Sequence, residues 1–262
     1  MQDSWKSGDR YEQFMGRWST LTAQQFLDWL APQPGLDWLD VGCGSGALSE
    51  VALQHHTPAT ITAIDQSDDF VTTAQQRLGD TADCRVGNAL DLPLEEASAD
   101  VAVSGLVLNF IPEPGKALTE MKRVTRSGGV IAAYVWDYAG SMEMLNYFWD
   151  AVVQLDPEAS PLHEAGRFPD CNPDALQQLF NRAGLAKTTT APLEVATHFS
   201  SFDDYWTPFL GGQGPAPTYV QSLEKSAQQQ LRDLLQQRLP IRDDGSIPLS
   251  AIAWAVSGEV PA

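Results

Sequence analysis

Leu39-Asp40-Val41-Gly42-Cys43-Gly44-Ser45-Gly46 is the stretch whose reading decides the architecture. A short apolar run over 38–41 breaks into three alternating glycines, and a helix-period segment follows at once. Glycine lacks a Cβ, so backbone at such a break turns tightly and approaches a ligand closely. The helix that follows presents unpaired N–H groups at its first turn. Working outward, the chain alternates apolar runs with helical periods through 36–136, the pattern of a doubly wound, mostly parallel α/β sheet. Strands are predicted over 38–41, 60–65, 84–87, 101–104 and 130–136. Leu48, Val51, Ala52 and His55 keep one-face helical spacing after the first strand. Phe70 or Val71, Ala74 and Leu78 do so after the second. After the fourth, Pro114 suits a first helical turn, with Ala117, Leu118, Met121 and Val124 as its buried stripe and Gly128-Gly129 as its stop. Asn172-Pro173 opens a further helix over Leu176, Leu179, Phe180 and Ala183. Runs over 193–199 and 247–256 complete seven strands.

Two nucleotide readings compete for the glycine loop. Gly42, Gly44 and Ala47 satisfy the dinucleotide fingerprint, in which a pyrophosphate sits on the helix N-terminus. Asp40 speaks against it, because a carboxylate two residues before the first glycine opposes a bound pyrophosphate. The same carboxylate pairs well with the ammonium of an amino-acid moiety. S-adenosyl-L-methionine carries an ammonium, a sulfonium and no phosphate, so the acid suits it. Asp65 closes the second strand, nineteen residues after Gly46, where a carboxylate accepts two vicinal ribose hydroxyls.

Taken together, these residues resemble the class I S-adenosylmethionine-dependent methyltransferases, most closely the branch with quinone-biosynthesis and other small-molecule enzymes. The resemblance rests on 39–46, Ala63-Ile64-Asp65, Gly87-Asn88-Ala89-Leu90-Asp91-Leu92-Pro93, 106–114 and 121–130. It implies a Rossmann-like sheet whose final strand, 247–256, runs antiparallel. It further implies that Asp65 holds the ribose and Gln66 packs near the adenine. Asn88 and Ala89 would line the adenine edge, Gly42, Cys43 and Gly44 would approach the methionine part, and Leu106 would lie along the cofactor. Two positions depart from the pattern: Asn88 stands where aspartate is usual, and Asn109 where relatives often carry histidine. The stretch Tyr11-Glu12-Gln13-Phe14-Met15-Gly16-Arg17-Trp18 looks like the N-terminal segment that covers cofactor in similar enzymes. There Arg17 is a bidentate partner for the methionine carboxylate, and Tyr11 a hydrogen-bond partner.

The expected organisation is an N-terminal helical lid over 1–35 and a methyltransferase domain over 36–262, with helical lid insertions at about 138–170 and 200–240. Aromatic residues crowd those insertions, which suits an apolar or aromatic small-molecule acceptor. Met15, Trp18, Trp136, Tyr147, Tyr205 and Trp206 are the candidate acceptor contacts. Methyl transfer is an in-line displacement on an already activated carbon, so alignment and exclusion of water are the chief requirements. A general base is needed only where the acceptor must lose a proton. His163, His198 and Asp137 are the candidates, and each has an ordinary structural reading. A nucleotide-dependent oxidoreductase and a non-catalytic adenosyl-binding protein remain as alternatives.

Composition excludes other classes. The 34 acidic residues against 16 basic ones, a formal charge of −18, repel phosphate backbones, so nucleic acid is not expected as a partner. Cys43, Cys84 and Cys171 form no CxxC pair, and the four histidines show no metal-ligand spacing. The longest apolar run, 130–136, is too short for a bilayer, and the first residues lack a signal-peptide core. A reduced cytoplasm is the expected location.

Overall fold

The apolar runs form strands because β-branched and aliphatic residues buried on both faces favour a parallel sheet between helices. The computed structural model describes residues 16–211 and 214–262. In chain order its principal elements begin with α1 Arg17–Leu30, β1 Asp37–Val41, α2 Ala47–His55, β2 Thr60–Asp65, α3 Asp68–Leu78 and β3 Asp83–Val86. There follow β4 Ala99–Gly105, α4 Pro114–Val124, β5 Thr125–Trp136, α5 Glu143–Leu155, α6 Glu164–Arg167 and α7 Pro173–Arg182. The remainder is β6 Ala186–Phe199, α8 Phe202–Trp206, α9 Pro215–Ser222, α10 Lys225–Arg238 and β7 Ile247–Glu259. The seven strands lie in the order β3-β2-β1-β4-β5-β7-β6. β1 pairs in parallel with both β2 and β4, Asp40 standing opposite Ala63 on one side and Val103 on the other. β7 runs antiparallel to β5: Gly128 N donates to Val260 O, whereas Asp137 N donates to Ile252 O. The order therefore reverses direction between β1 and β4, the switch point where open α/β sheets bind ligands beyond their strand ends.

Besides β6, which begins at Ala186, seven residues before the predicted run over 193–199, two details differ from the sequence reading. α4 ends at Val124, where Thr125 Oγ1 donates to Met121 O at 2.7 Å, and not at Gly128-Gly129. Those glycines lie instead in a bulge: Ala99 pairs with Thr125, but Val101 already pairs with Val130. Gly128 takes φ +78°, and a Cβ on Gly129 would stand 2.6 Å from Asp100 O. The bulge aims Arg126 at Asp37 (3.1 Å) and Asp100 (2.7 Å). The second difference is His55, which is exposed at the end of α2 although its spacing matches the buried stripe.

The chain divides into two compact units. One comprises 19–135, 170–193 and 253–262, with Phe26, Leu39, Ile64, Leu118 and Met121 at its centre. The other comprises the described residues up to Trp18 with 136–169 and 194–252. Its centre is aromatic: Phe148 stacks on Phe209 with centroids 4.4 Å apart, and Tyr205 meets Phe199 and Phe209, each at 5.3 Å. The Tyr205 hydroxyl donates to Met144 O at 2.9 Å, so a fully buried ring keeps its polar end satisfied.

Candidate cofactor-binding site

Gly42, Gly44 and Gly46 all adopt left-handed conformations, with φ of 74°, 52° and 84°. Only glycine takes these without strain. Gly42 N and Cys43 N both donate to Ile64 O, at 2.7 and 3.0 Å, which ties the loop after β1 to the end of β2. A Cβ on Gly42 would stand 2.3 Å from Val107 Cγ1, so the loop after β4 lies directly against the glycine loop. Gly46 packs as closely on α3, where a Cβ would meet Leu78 and Ala74 at 3.1 and 3.3 Å. Next to Gly44, by contrast, a Cβ would meet nothing within 4 Å.

Two carboxyls flank this loop. Asp40 is 2% exposed; its Oδ2 accepts from Ser49 Oγ at 2.7 Å, while Oδ1 has no hydrogen-bond partner among the described residues. Burial pushes its pKa up to about 7, with the nearby Asp65 charge adding to the rise and the Ser49 bonds opposing it. Asp65 is 8% exposed, and burial raises its pKa too, against the bonds its carboxylate accepts. Its Oδ2 accepts from Gly44 N at 3.0 Å and its Oδ1 from Ser67 N at 2.9 Å. Each oxygen retains a second lone pair for a hydroxyl. Burial drives the Cys43 thiol well above its ordinary value, so Cys43 is a packing residue and not a thiolate nucleophile.

At the third strand, Gly87 has room for no side chain, since a Cβ would meet Ile64 and Pro93 at 2.9 and 3.0 Å. Asn88 is exposed, and its Oδ1 accepts from Leu90 N at 2.9 Å, turning its carbonyl into its own loop. Ala89 is half-buried and Gln66 exposed. Leu106 takes φ +60°, a strained conformation for a branched side chain, held by its N–H donating to Tyr134 O at 2.8 Å. Gly105 lies under Tyr134, whose hydroxyl would stand 2.6 Å from a Cβ there. Asp40, the glycine loop, Asp65 and the Leu106–Val107 step thus stand together at the carboxyl ends of β1, β2 and β4. Ser49, Val107 and Tyr134 belong to this frame and carry no motif; only the helix period of α2 and the sheet register reveal them.

The remaining candidates stand elsewhere in the chain. Arg17 pairs with Asp204 at 2.9 Å and lies over the rings of Trp18 (4.4 Å) and Phe199 (4.6 Å). Tyr11 and Met15 lie outside the described residues. Trp18, Trp136 and Trp206 are buried, Tyr205 is core, and Tyr147 is partly exposed. His163 caps α6, its Nδ1 accepting from Ala165 N at 3.1 Å, and it stacks on Trp149. Burial lowers its pKa, favouring the neutral ring. His198 is an exposed residue of β6. Asp137 Oδ1 accepts from Gly140 N at 2.9 Å, closing a turn. Among the described residues no cluster of histidine, cysteine and carboxylate is placed to hold a metal ion.

The sheet order and the left-handed glycine loop at its switch point define a class of fold, that of the Rossmann-like methyltransferase domains. Residues 39–133 match the family model of the methyltransferase domain. It is similar to the malonyl-[acyl-carrier protein] O-methyltransferase of Serratia marcescens, 32% identical over 129 residues, or 49% of each chain. It is likewise 32% identical over 107 residues to the demethylmenaquinone methyltransferase of Desulfitobacterium hafniense, 38% of this chain and 42% of that one. The matched stretches thus span less than half the length of these curated relatives. Among solved structures, the Haemonchus contortus phosphoethanolamine N-methyltransferase 2 in complex with S-adenosyl-L-methionine superposes with a TM-score of 0.60. The identity is 14%, over 97% of this chain and 57% of that one, a likeness of fold.

Proposed function

We propose that the protein binds S-adenosylmethionine across the ends of β1, β2 and β4 and methylates a small-molecule acceptor. The observation that carries this reading is Asp40: a buried carboxyl at the glycine loop with one oxygen left unpartnered. A buried, unpaired oxygen is costly unless a ligand completes it, and a cation completes a carboxylate best. The ammonium of the cofactor is such a cation, whereas a pyrophosphate would meet like charge. Asp65 supplies acceptor capacity for ribose hydroxyls while fastening Gly44. Gly42, Cys43 and Gly44 hold the methionine part, Gln66, Asn88 and Ala89 the adenine side, and Leu106 lies along the cofactor.

When bound, the cofactor supplies a methyl group already activated on a sulfonium. The chain's own task is then alignment and dehydration, which Leu106 and the rigid loop after β4 serve from one side. Acceptor recognition is assigned to the aromatic segments 138–170 and 200–240 together with the N-terminal stretch. Tyr147, partly exposed, is the foremost contact there, followed by Trp136 and Trp206. Arg17, paired with Asp204 in the ligand-free chain, is the proposed partner of the methionine carboxylate, with Tyr11 and Met15 completing the proposed N-terminal set. Of the candidate bases, His198 is the one whose imidazole is exposed, since His163 and Asp137 already serve a helix cap and a turn. The acidic surface argues against nucleic acid as substrate. No described helix is long and apolar enough to cross a membrane.

Calorimetric titration with S-adenosylhomocysteine and, separately, with NAD tests this reading. Binding of the first alone is expected, followed by release of S-adenosylhomocysteine when a panel of small acceptors is offered with the methyl donor. Binding of NAD alone would overturn it.

A further inference from the structure

Asn109 lies in the single turn Leu108–Phe110 that follows β4. Both polar ends of its side chain, Oδ1 and Nδ2, are buried and have no hydrogen-bond partner among the described residues. An amide offers two donor hydrogens and two acceptor lone pairs. Burying all of them unpaired costs free energy that a leucine of similar size would avoid. Native proteins leave few such groups, and each calls for a reason. Ser104, 1% exposed on the last part of β4, has an equally unpartnered Oγ.

The position of Asn109 supplies the reason. It stands two residues beyond Val107, whose side chain contacts the Gly42 backbone across the switch point between β1 and β4. The turn is held firmly: Leu106 N donates to Tyr134 O, Phe110 N to Val107 O and Ile111 N to Leu108 O. Asn109 therefore belongs to the β4 side of the glycine loop, across β1 from β2 and β3, to which the cofactor residues Asp65, Gln66 and Ala89 are assigned above. The residue as a whole keeps partial exposure, so a small side-chain movement brings the amide to a ligand. A neutral amide neither titrates nor attracts charge. It rewards a neutral group that donates and accepts at once.

We propose that Asn109 is a specificity-determining residue that hydrogen-bonds the methyl acceptor through a hydroxyl or carboxamide group on that acceptor. The proposal rests on the methyltransferase reading above. An acceptor with only a carbonyl or only an ammonium would leave one end of the amide unpaired. Sites built to bond a hydroxyl reject analogues that lack it far more strongly than apolar pockets reject a missing methylene.

The test compares wild type with Asn109→Leu and Asn109→Gln in the full chain. The probes are S-adenosylhomocysteine for the cofactor site and a panel of aromatic hydroxy compounds and carboxamides, each paired with its deoxy or ester analogue. The expected result has four parts. Wild type turns over panel members bearing the hydroxyl or carboxamide at least about a hundredfold better than their analogues. Asn109→Leu loses that preference through kcat/KM, and Asn109→Gln recovers part of it. Both variants bind S-adenosylhomocysteine within about twofold of wild type. Ligand-free Asn109→Leu melts about 2–4 °C higher, because the orphaned amide is gone. A tenfold loss of S-adenosylhomocysteine affinity in Asn109→Leu would assign the amide to the cofactor and overturn the proposal. So would an earlier melting of Asn109→Leu, unchanged selectivity, or failure of wild type to turn over any panel member. Wild type that binds no S-adenosylhomocysteine refutes the methyltransferase reading itself, and this inference with it.

Discussion

Replacing Asp40 by asparagine probes the site at its most strained electrostatic point. The carboxyl is fully buried, and its pKa stands at about 7 against an ordinary 3.8. That displacement corresponds to about 4 kcal/mol of preference for the protonated form in the folded chain. Because the folded pKa is the higher one, the native state holds a proton that the unfolded chain has released between about pH 4 and pH 7. Stability contributed by Asp40 is therefore full below about pH 4, falls as pH rises, and is lost by about pH 7. Asp40→Asn carries a permanently neutral side chain and lacks this dependence. Its stability relative to wild type should rise by about 2 kcal/mol between about pH 5.5 and about pH 8. Effects of the amide that do not titrate cancel in that difference. Urea unfolding of ligand-free wild type and variant at the two pH values, followed by far-UV circular dichroism, measures it. The cofactor's cation should act oppositely, favouring the ionised acid. Wild-type affinity for S-adenosylhomocysteine should thus strengthen by up to about tenfold per unit as pH approaches 7 from below, and the variant's should not. A stability gap that stays constant across the two pH values would refute the assignment of a buried, proton-holding Asp40.

Asp65→Ala removes the acceptor for Gly44 N and Ser67 N together with the proposed ribose partner. S-adenosylhomocysteine affinity should fall by about 1.5–3 kcal/mol in calorimetry, while far-UV circular dichroism shows a folded protein. Gly42→Ala places a Cβ into Val107 at a left-handed φ, so both thermal stability and cofactor affinity should drop, and Val107→Ala in the same chain should restore part of each. Tyr205→Ala should cost about 3–5 kcal/mol of stability in urea unfolding, while Tyr205→Phe loses only the bond to Met144 O, about 1 kcal/mol. S-adenosylhomocysteine affinity measured on folded Tyr205→Phe should equal that of wild type.

Much of this protein was legible in the sequence because local rules suffice for it. β2 begins and ends where its apolar run does, Pro114 and Asn172 start their helices, and three glycines take the left-handed turns that the loop after β1 requires. The positions of Asp40 and Asp65 were legible as well, since both are placed by strand ends, and strand ends follow from hydrophobic patterning. Other features depended on residues distant in the chain. Gly128-Gly129 reads locally as a helix stop, and only pairing with β4 turns it into a bulge that aims Arg126 at Asp37 and Asp100. Tyr205 and Arg17 read as available side chains, yet packing gives one to Met144 and the other to Asp204. The raised pKa of Asp40 and the unpartnered amide of Asn109 are likewise tertiary facts. Desolvation depends on what every neighbouring element covers, and a hydrogen bond left unmade is visible only once all possible partners have been placed.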